Sequence, residues 1–198
     1  MKERKKEIET ITQNLLLNQF LKSRKQIEAY CEEQSTDMVK DFLDTFSHAI
    51  LEAGVVQAEG KKDNICYILF SYLYSSIFLQ KYIVRIDVLD YRFYNDVSQV
   101  ESNWDAHALY HYFESDVNEI LNEIRKNIPR IREYEIDYLR YAYLPYYQSV
   151  VKKWIQIMAE ELINNGSFLL NEISRKEEIK ILFGEYMGSA DIIGIWNR

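Results

Sequence analysis

The segment from Asn64 to Gln80, NICYILFSYLYSSIFLQ, carries no charged residue and is the most apolar stretch of the chain. It is at the lower length limit for a membrane-spanning helix, and its serines, tyrosines and amides dilute its hydrophobicity. A helix that is apolar on every side otherwise lies at the centre of a globular fold. We therefore predict a buried central helix over about residues 64–81 and no membrane partner.

Most of the remaining chain has the apolar periodicity of amphipathic helices. A first helix is predicted from about Glu3 to Glu33, and a second from Thr36, an N-cap candidate, to Gly60. Further helices are predicted from near Ser102 to Ile124, from Pro129 to Gly166 with a kink or break near Pro145, and around Arg175–Phe183. These patterns predict one mainly α domain, residues 1–198, in which five to six helices surround the central one.

Between residues 82 and 94, apolar side chains recur at every second position, as Val84, Ile86 and Val88 do. Alternation with period two is typical of a strand with one buried face. We therefore predict one short strand or hairpin near 82–94. A helix continued through Tyr82, Ile86 and Leu89 is the alternative.

The charge and the cysteines exclude several classes of protein. The formal net charge is −7, whereas nucleic-acid binding needs a concentrated basic surface, so we exclude nucleic acid as a partner. Cys31 and Cys66 are the only cysteines, and they are too far apart to form a metal motif or a disulfide framework. We predict reduced thiols and a cytoplasmic protein.

The histidines provide one candidate metal site. His107 and His111 have the helical spacing of two metal ligands, with Glu114 one turn further on and His48 as a third histidine. On a helical projection, however, both members of the pair fall away from the apolar stripe, whereas the ligands of a metal in a bundle core point inward. Solvated histidines are the alternative.

A second candidate is acidic. Asp87, Asp90 and Asp96 lie close together in the sequence, and clustered carboxylates bind Mg²⁺ or act as acids and bases. Arg85 and Arg92 are interleaved with them, so structural ion pairs explain the same pattern.

The third candidate is a surface that binds a ligand or a partner. The chain has 16 tyrosines, several of them around Pro145. The candidate residues are Tyr134, Tyr138, Tyr141, Tyr143, Tyr146 and Tyr147. Tyrosine combines an apolar ring with a polar hydroxyl and is favoured at interfaces and in wet pockets. We expect the stripe of the first three to face protein. An aromatic core stripe, in the composition of a low-GC bacterial genome, is the alternative.

Motifs of nucleotide-binding loops, zinc and serine hydrolases and di-iron bundles are absent from the sequence, so we predict no cofactor. The leading hypothesis is a non-enzymatic bacterial helical bundle that acts by association, with itself as a homo-oligomer or with another protein. A small-molecule-binding bundle with a tyrosine-lined pocket is the first alternative. A metal-dependent enzyme that uses the acidic or histidine patch is the second.

Overall fold

The computed structural model describes residues 2–128, 130–165 and 167–197. These residues form five α-helices and a five-stranded sheet, so the prediction of a mainly α bundle is wrong. The helices are α1 (Lys2–Glu33), α2 (Ser35–Ala58), α3 (Tyr74–Phe78), α4 (Phe113–Asn127) and α5 (Glu133–Asn165). The strands are β1 (Ile65–Tyr72), β2 (Ile83–Asp90), β3 (Glu101–Asp105), β4 (Arg175–Glu185) and β5 (Ala190–Asn197).

The strands form one mixed sheet in the order β3-β2-β1-β4-β5. Strands β1 and β4 are parallel, and the other neighbouring pairs are antiparallel. Strand β1 is therefore central, with β2 on one side and β4 on the other.

The charge-free segment 64–81 is a strand followed by a short helix, not a central helix. Only Tyr67 and Tyr72 of β1 are partly exposed, and its other residues are buried. A strand that is covered on both faces needs apolar residues at nearly every position, and periodicity alone does not separate such a run from a buried helix. The central position was predicted correctly, but the secondary structure was wrong.

The period-two segment is a strand, as predicted, since β2 covers Ile83–Asp90. The same period was overlooked near the end of the sequence, where Ile179, Ile181 and Phe183 are buried on β4 and the predicted helix around 175–183 is wrong. The helix predicted from near Ser102 is also wrong at its start, because β3 lies there and α4 begins only at Phe113.

The predictions are more accurate for the long helices. Helices α1 and α2 confirm the first two predictions. Helix α5 continues through Pro145, so the break is absent, and a kink there stays a prediction. Pro129 and Gly166, which were predicted to bound this helix, lie outside the described residues.

The chain forms two compact units. Unit 1 comprises Met1–Ser35 and His107–Val151, and unit 2 comprises Thr36–Ala106 and Lys152–Arg198. Unit 1 is helical, and unit 2 contains α2, the sheet and the last part of α5. The expectation of a single domain stays a prediction.

The core of unit 2 lies between α2 and one side of the sheet. The ring of Phe70 on β1 is 5.3 Å from that of Phe42, and Trp196 on β5 is 6.2 Å from Phe46. On the second side of the sheet, a smaller cluster is centred on Leu69, Leu89 and Leu182, and Phe93 and Tyr94 are among the residues that pack against it.

Within the part of the chain that the structure describes, no helix combines the length and the apolar character that a membrane span requires.

Candidate functional site

The strongest candidate site is built around Asp116 in unit 1. This aspartate lies in the first turn of α4, where a carboxylate is favoured by the partial positive charge of the helix N-terminus. Its backbone N–H donates to the carbonyl of Tyr112. Only 3% of its surface is exposed.

Four side chains donate hydrogen bonds to this carboxylate. Ser23 Oγ and Gln19 Nε2 donate to Asp116 Oδ1, at 2.5 and 2.9 Å. The hydroxyls of Tyr143 and Tyr147 each donate to Oδ2 at 2.8 Å. Buried carboxylates are ordinarily paired with a cation, but all four of these donors are neutral. The hydrogen bonds satisfy the oxygen atoms, and no described lysine, arginine or histidine forms an ion pair with this carboxylate.

Each pair of donors comes from one helix at a spacing of four residues, which places both members on one face. Gln19 and Ser23 belong to α1, and Tyr143 and Tyr147 belong to α5. Asp116 therefore joins three helices of unit 1. Burial and, after it, the charge of Asp116 raise the pKa of both tyrosines above its ordinary value, so the hydroxyls remain protonated donors.

Aromatic rings hold the two tyrosines in place. Phe113 stacks on Tyr143 with ring centroids 5.8 Å apart and meets Tyr147 edge to face at 5.0 Å. The ring of Tyr110 stacks on Tyr147 at 6.0 Å. Rings packed in this way restrict rotation, so the positions of the two hydroxyls are fixed.

A cleft of about 660 Å³ lies beside this carboxylate. Its lining includes Leu15, Gln19, Lys22, Glu119, Ile120 and Glu123. Gln19 belongs both to the hydrogen-bond network of Asp116 and to the cleft lining, because its Nε2 donates at 2.9 Å both to Asp116 and to Glu119 Oε2. These two contacts with carboxylates fix the orientation of the amide. No described residue donates a hydrogen bond to its Oε1.

Tyr143 and Tyr147, two of the six predicted tyrosines, are thus fully buried in the site. Tyr134 and Tyr141 are 55% and 49% exposed, so the prediction that their stripe faces protein is wrong for these two. Tyr138 is half-buried.

Tyr146 is half-buried as well, and its ring lies 5.7 Å from Tyr143 and 5.5 Å from Phe20. The buried face of this part of α5 runs through Leu139, Tyr143 and Tyr147, at intervals of four residues. The predicted stripe, Tyr134, Tyr138 and Tyr141, lies beside this buried face on the same helix.

The histidine pair does not have the predicted helical geometry. His107 begins a short 3₁₀ turn, His107–Tyr110, and is exposed. His111 lies in the turn before α4 and stacks on Tyr30, with ring centroids 4.1 Å apart. The prediction assumed a helix from near Ser102, and that helix starts too late to include either histidine.

The other two proposed metal ligands are Glu114, which is bound by an arginine, and His48, which is distant from the histidine pair in the sequence. Glu114 binds the guanidinium of Arg140 through both of its oxygens, at 2.8–3.2 Å. His48 is exposed on α2 in unit 2. Among the described residues, no group of three or more His, Cys, Asp or Glu side chains is placed to hold a metal ion.

Each carboxylate of the acidic candidate has a cation of its own. Arg85 donates to both oxygens of Asp87 at 2.7–3.0 Å, and burial raises the pKa of this carboxyl despite the arginine. Burial also acts to raise the pKa of Asp90, but the hydrogen bonds from Arg92 outweigh it and the pKa is lowered. Asp96 pairs with Lys62. The arrangement supports structural ion pairs, the alternative interpretation of this segment.

Asp116, Gln19 and Ser23 were not singled out from the sequence. One signal was present, since Asp116 occupies the buried stripe of α4 at a helical interval from Phe113 and Ile120. A charged residue in an apolar stripe requires buried partners, but the sequence does not say which residues these are.

Comparison of the chain with protein-family models, with curated proteins and with solved structures found no match. The site is therefore interpreted from its own geometry.

Removing either tyrosine hydroxyl tests the hydrogen-bond network. Tyr143→Phe and Tyr147→Phe keep the ring and withdraw one donor from buried Asp116, so each is expected to lower the free energy of unfolding by about 1–3 kcal/mol. Urea denaturation measures the loss. Tyr91→Phe, at a ring that is 61% exposed, is the matched control and is expected to change little. Equal stability of all three variants and the parent protein would contradict the network.

Proposed function

We propose that unit 1 binds a small organic cation, of the aliphatic amine class, in the cleft beside Asp116. The observation that carries the proposal is the buried carboxylate whose four partners are all neutral. A buried carboxylate with only neutral partners, next to a cleft, draws oppositely charged solutes towards it, because low-dielectric walls focus the field. The proposed activity is binding, without catalysis.

The lining of the cleft suits an amine with a hydrocarbon chain. Glu119 and Glu123 provide carboxylates, and Gln19 provides a carbonyl oxygen that accepts no hydrogen bond from a described residue. Leu15 and Ile120 provide apolar wall for methylene groups. Ammonium groups form their strongest hydrogen bonds with carboxylates, and apolar walls with a few polar groups are typical of ligand sites.

One lysine lines the cleft, and a second lysine pairs with a glutamate of the lining. The first is Lys22, and the second is Lys126, which pairs with Glu123 at 2.6 Å. Both lysines are exposed, so water screens their charges more than it screens Asp116, which is buried. Glu119, which bonds to Gln19, is the carboxylate of the lining with which we expect an ammonium group to pair.

Calorimetric titration with 1,4-diaminobutane tests the proposal, with 1,4-butanediol as a neutral compound of the same length. We expect the diamine to bind and the diol to give no heat of binding. Glu119→Gln is expected to weaken the diamine at least about tenfold, which corresponds to about 1.4 kcal/mol. Glu32→Gln removes the same charge from an exposed site on α1 outside the cleft and is expected to leave the affinity unchanged.

Three outcomes would contradict the proposal: no heat with the diamine, equal binding of the diol, or equal loss in Glu119→Gln and Glu32→Gln. Asp116→Asn, with its fold checked by circular dichroism, separates the contribution of the buried carboxylate from that of Glu119.

We place this activity in the cytoplasm. Cys31 and Cys66 are both buried thiols, and thiols stay reduced in the cytoplasm.

A further inference from the structure

Two glutamates of the cleft beside Asp116 lie one turn apart on α4. Glu119 and Glu123 both line the cleft, and side chains four residues apart share one face of a helix. The rise of the helix between them is about 6 Å. The cleft therefore offers two carboxylates at a defined spacing, and an ammonium group can pair with each of them.

The contacts between α1 and α4 set the direction of the cleft. Ser23 of α1 donates to Asp116 of α4. One turn earlier on α1, Gln19 donates to Glu119, which comes later on α4. The two helices therefore run in opposite directions along the cleft. Leu15, one turn before Gln19, lies at the other end of the cleft, where α4 continues beyond Glu119. A linear ligand that follows the helices passes both glutamates.

The two carboxylates differ in their present partners. Gln19 Nε2 donates to Glu119 Oε2 at 2.9 Å, and Gln19 is only 6% exposed. Its Oε1 accepts no hydrogen bond from a described residue, so an acceptor oxygen lies next to this carboxylate. Glu123 instead pairs with Lys126 at 2.6 Å, and both of these side chains are more than half exposed. An exposed ion pair contributes little to stability, so an ammonium group of a ligand can replace that of Lys126.

We propose that the ligand of the cleft is a linear diamine with four carbon atoms between its nitrogens, bound along α4. Diamine binding rests on the proposed function of unit 1 and adds a second ion pair to it. One ammonium group pairs with Glu119 and donates a hydrogen bond to Gln19 Oε1. The other replaces the ammonium group of Lys126 at Glu123. The extended diamine holds its nitrogens about 6 Å apart, which matches the rise of α4 between the two glutamates.

Calorimetric titration of the full chain with two amines of equal length tests the second ion pair. 1-Aminopentane carries a methyl group where 1,4-diaminobutane carries its second ammonium group. In about 0.15 M salt, which screens long-range attraction, a diamine that engages only one end binds at most about twofold tighter than 1-aminopentane, because its two ends are equivalent. With both ends engaged, we expect it to bind at least about fivefold tighter.

Two glutamate variants show whether Glu123 is the second partner. Glu123→Gln is expected to reduce the ratio of the two affinities to about twofold. Glu32→Gln, which removes the same charge at an exposed position outside the cleft, is expected to preserve the ratio of the parent chain.

Lys126→Gln tests whether Lys126 occupies the place of the second ammonium group. The substitution frees Glu123, so it is expected to tighten 1,4-diaminobutane at least about twofold and to leave 1-aminopentane unchanged. Lys25→Gln, at an exposed position on α1 outside the cleft, removes the same charge and is expected to change neither affinity. Circular dichroism confirms that all variants fold.

Equal affinities of the two amines, or a ratio that survives in Glu123→Gln, would overturn the diamine inference and leave the proposed function in place. Diamine binding that is no tighter in Lys126→Gln than in Lys25→Gln would overturn the inference as well. A chain that binds neither amine would overturn both the inference and the proposed function.

Discussion

Replacing Phe70 with alanine is expected to lower the free energy of unfolding by about 3–5 kcal/mol. The Phe70 side chain is fully buried at the centre of the sheet, with Phe42 at 5.3 Å and Phe46 at 6.5 Å between ring centroids. Its neighbours across the sheet are Ile86 and Phe183, whose backbones are held by the strand ladders. The site therefore has little freedom to close around a missing ring, and a cavity remains.

Urea denaturation of the parent and of the Phe70→Ala variant measures this loss. Phe168→Ala is the matched control, because that ring is 64% exposed, and its effect is expected to stay within about 0.5 kcal/mol. A loss below about 1 kcal/mol for Phe70→Ala would show that the core of unit 2 does not lie where β1 meets α2.

The second large effect is expected at a buried ion pair. The side chains of Lys62 and Asp96 are both fully buried and form a salt bridge, and Lys62 Nζ also donates to the carbonyl of Ser98 at 2.8 Å. Asp96→Ala leaves the ammonium buried without its anion, so we expect a loss of about 3–5 kcal/mol. The nearby pair of Lys61 and Glu59 is exposed.

Comparison with a double variant separates the loss of the ion pair from the cost of leaving one charge buried. Lys62→Met combined with Asp96→Ala removes both charges, and we expect it to be more stable than Asp96→Ala alone. Glu59→Ala breaks the exposed pair and is expected to cost no more than about 0.5 kcal/mol. Equal losses in Asp96→Ala and Glu59→Ala would mean that burial has no influence on these ion pairs.

The fold was predictable where one period extends over many residues. Helices α1 and α2 repeat the helical interval for several turns, and Val84, Ile86 and Val88 repeat the strand interval. The segment of β1 has no period, because both of its faces are covered, and its partners β2 and β4 decide its structure. The pattern of a single segment does not contain that information.

The site was predictable only in part, for a related reason. Tyr143 and Tyr147 were named because aromatic residues cluster near Pro145, and both bind Asp116. The other donors, Gln19 and Ser23, lie on a helix that is distant from Asp116 in the sequence. Uncharged polar residues of this kind are common on exposed helix faces, so their burial becomes evident only when the three helices are packed.

The parallel pairing of β1 with β4 has a consequence for synthesis. Strand β1 is complete by Tyr72, but β4 does not begin until Arg175, after α4 and α5. During translation, β2 is complete before α4 begins, whereas the edge of β1 that pairs with β4 has no partner until β4 is made. Partly folded chains with an open apolar edge are the species that aggregate and that chaperones recognise. We therefore expect the yield of folded protein to depend on how long the ribosome takes to pass from β2 to β4.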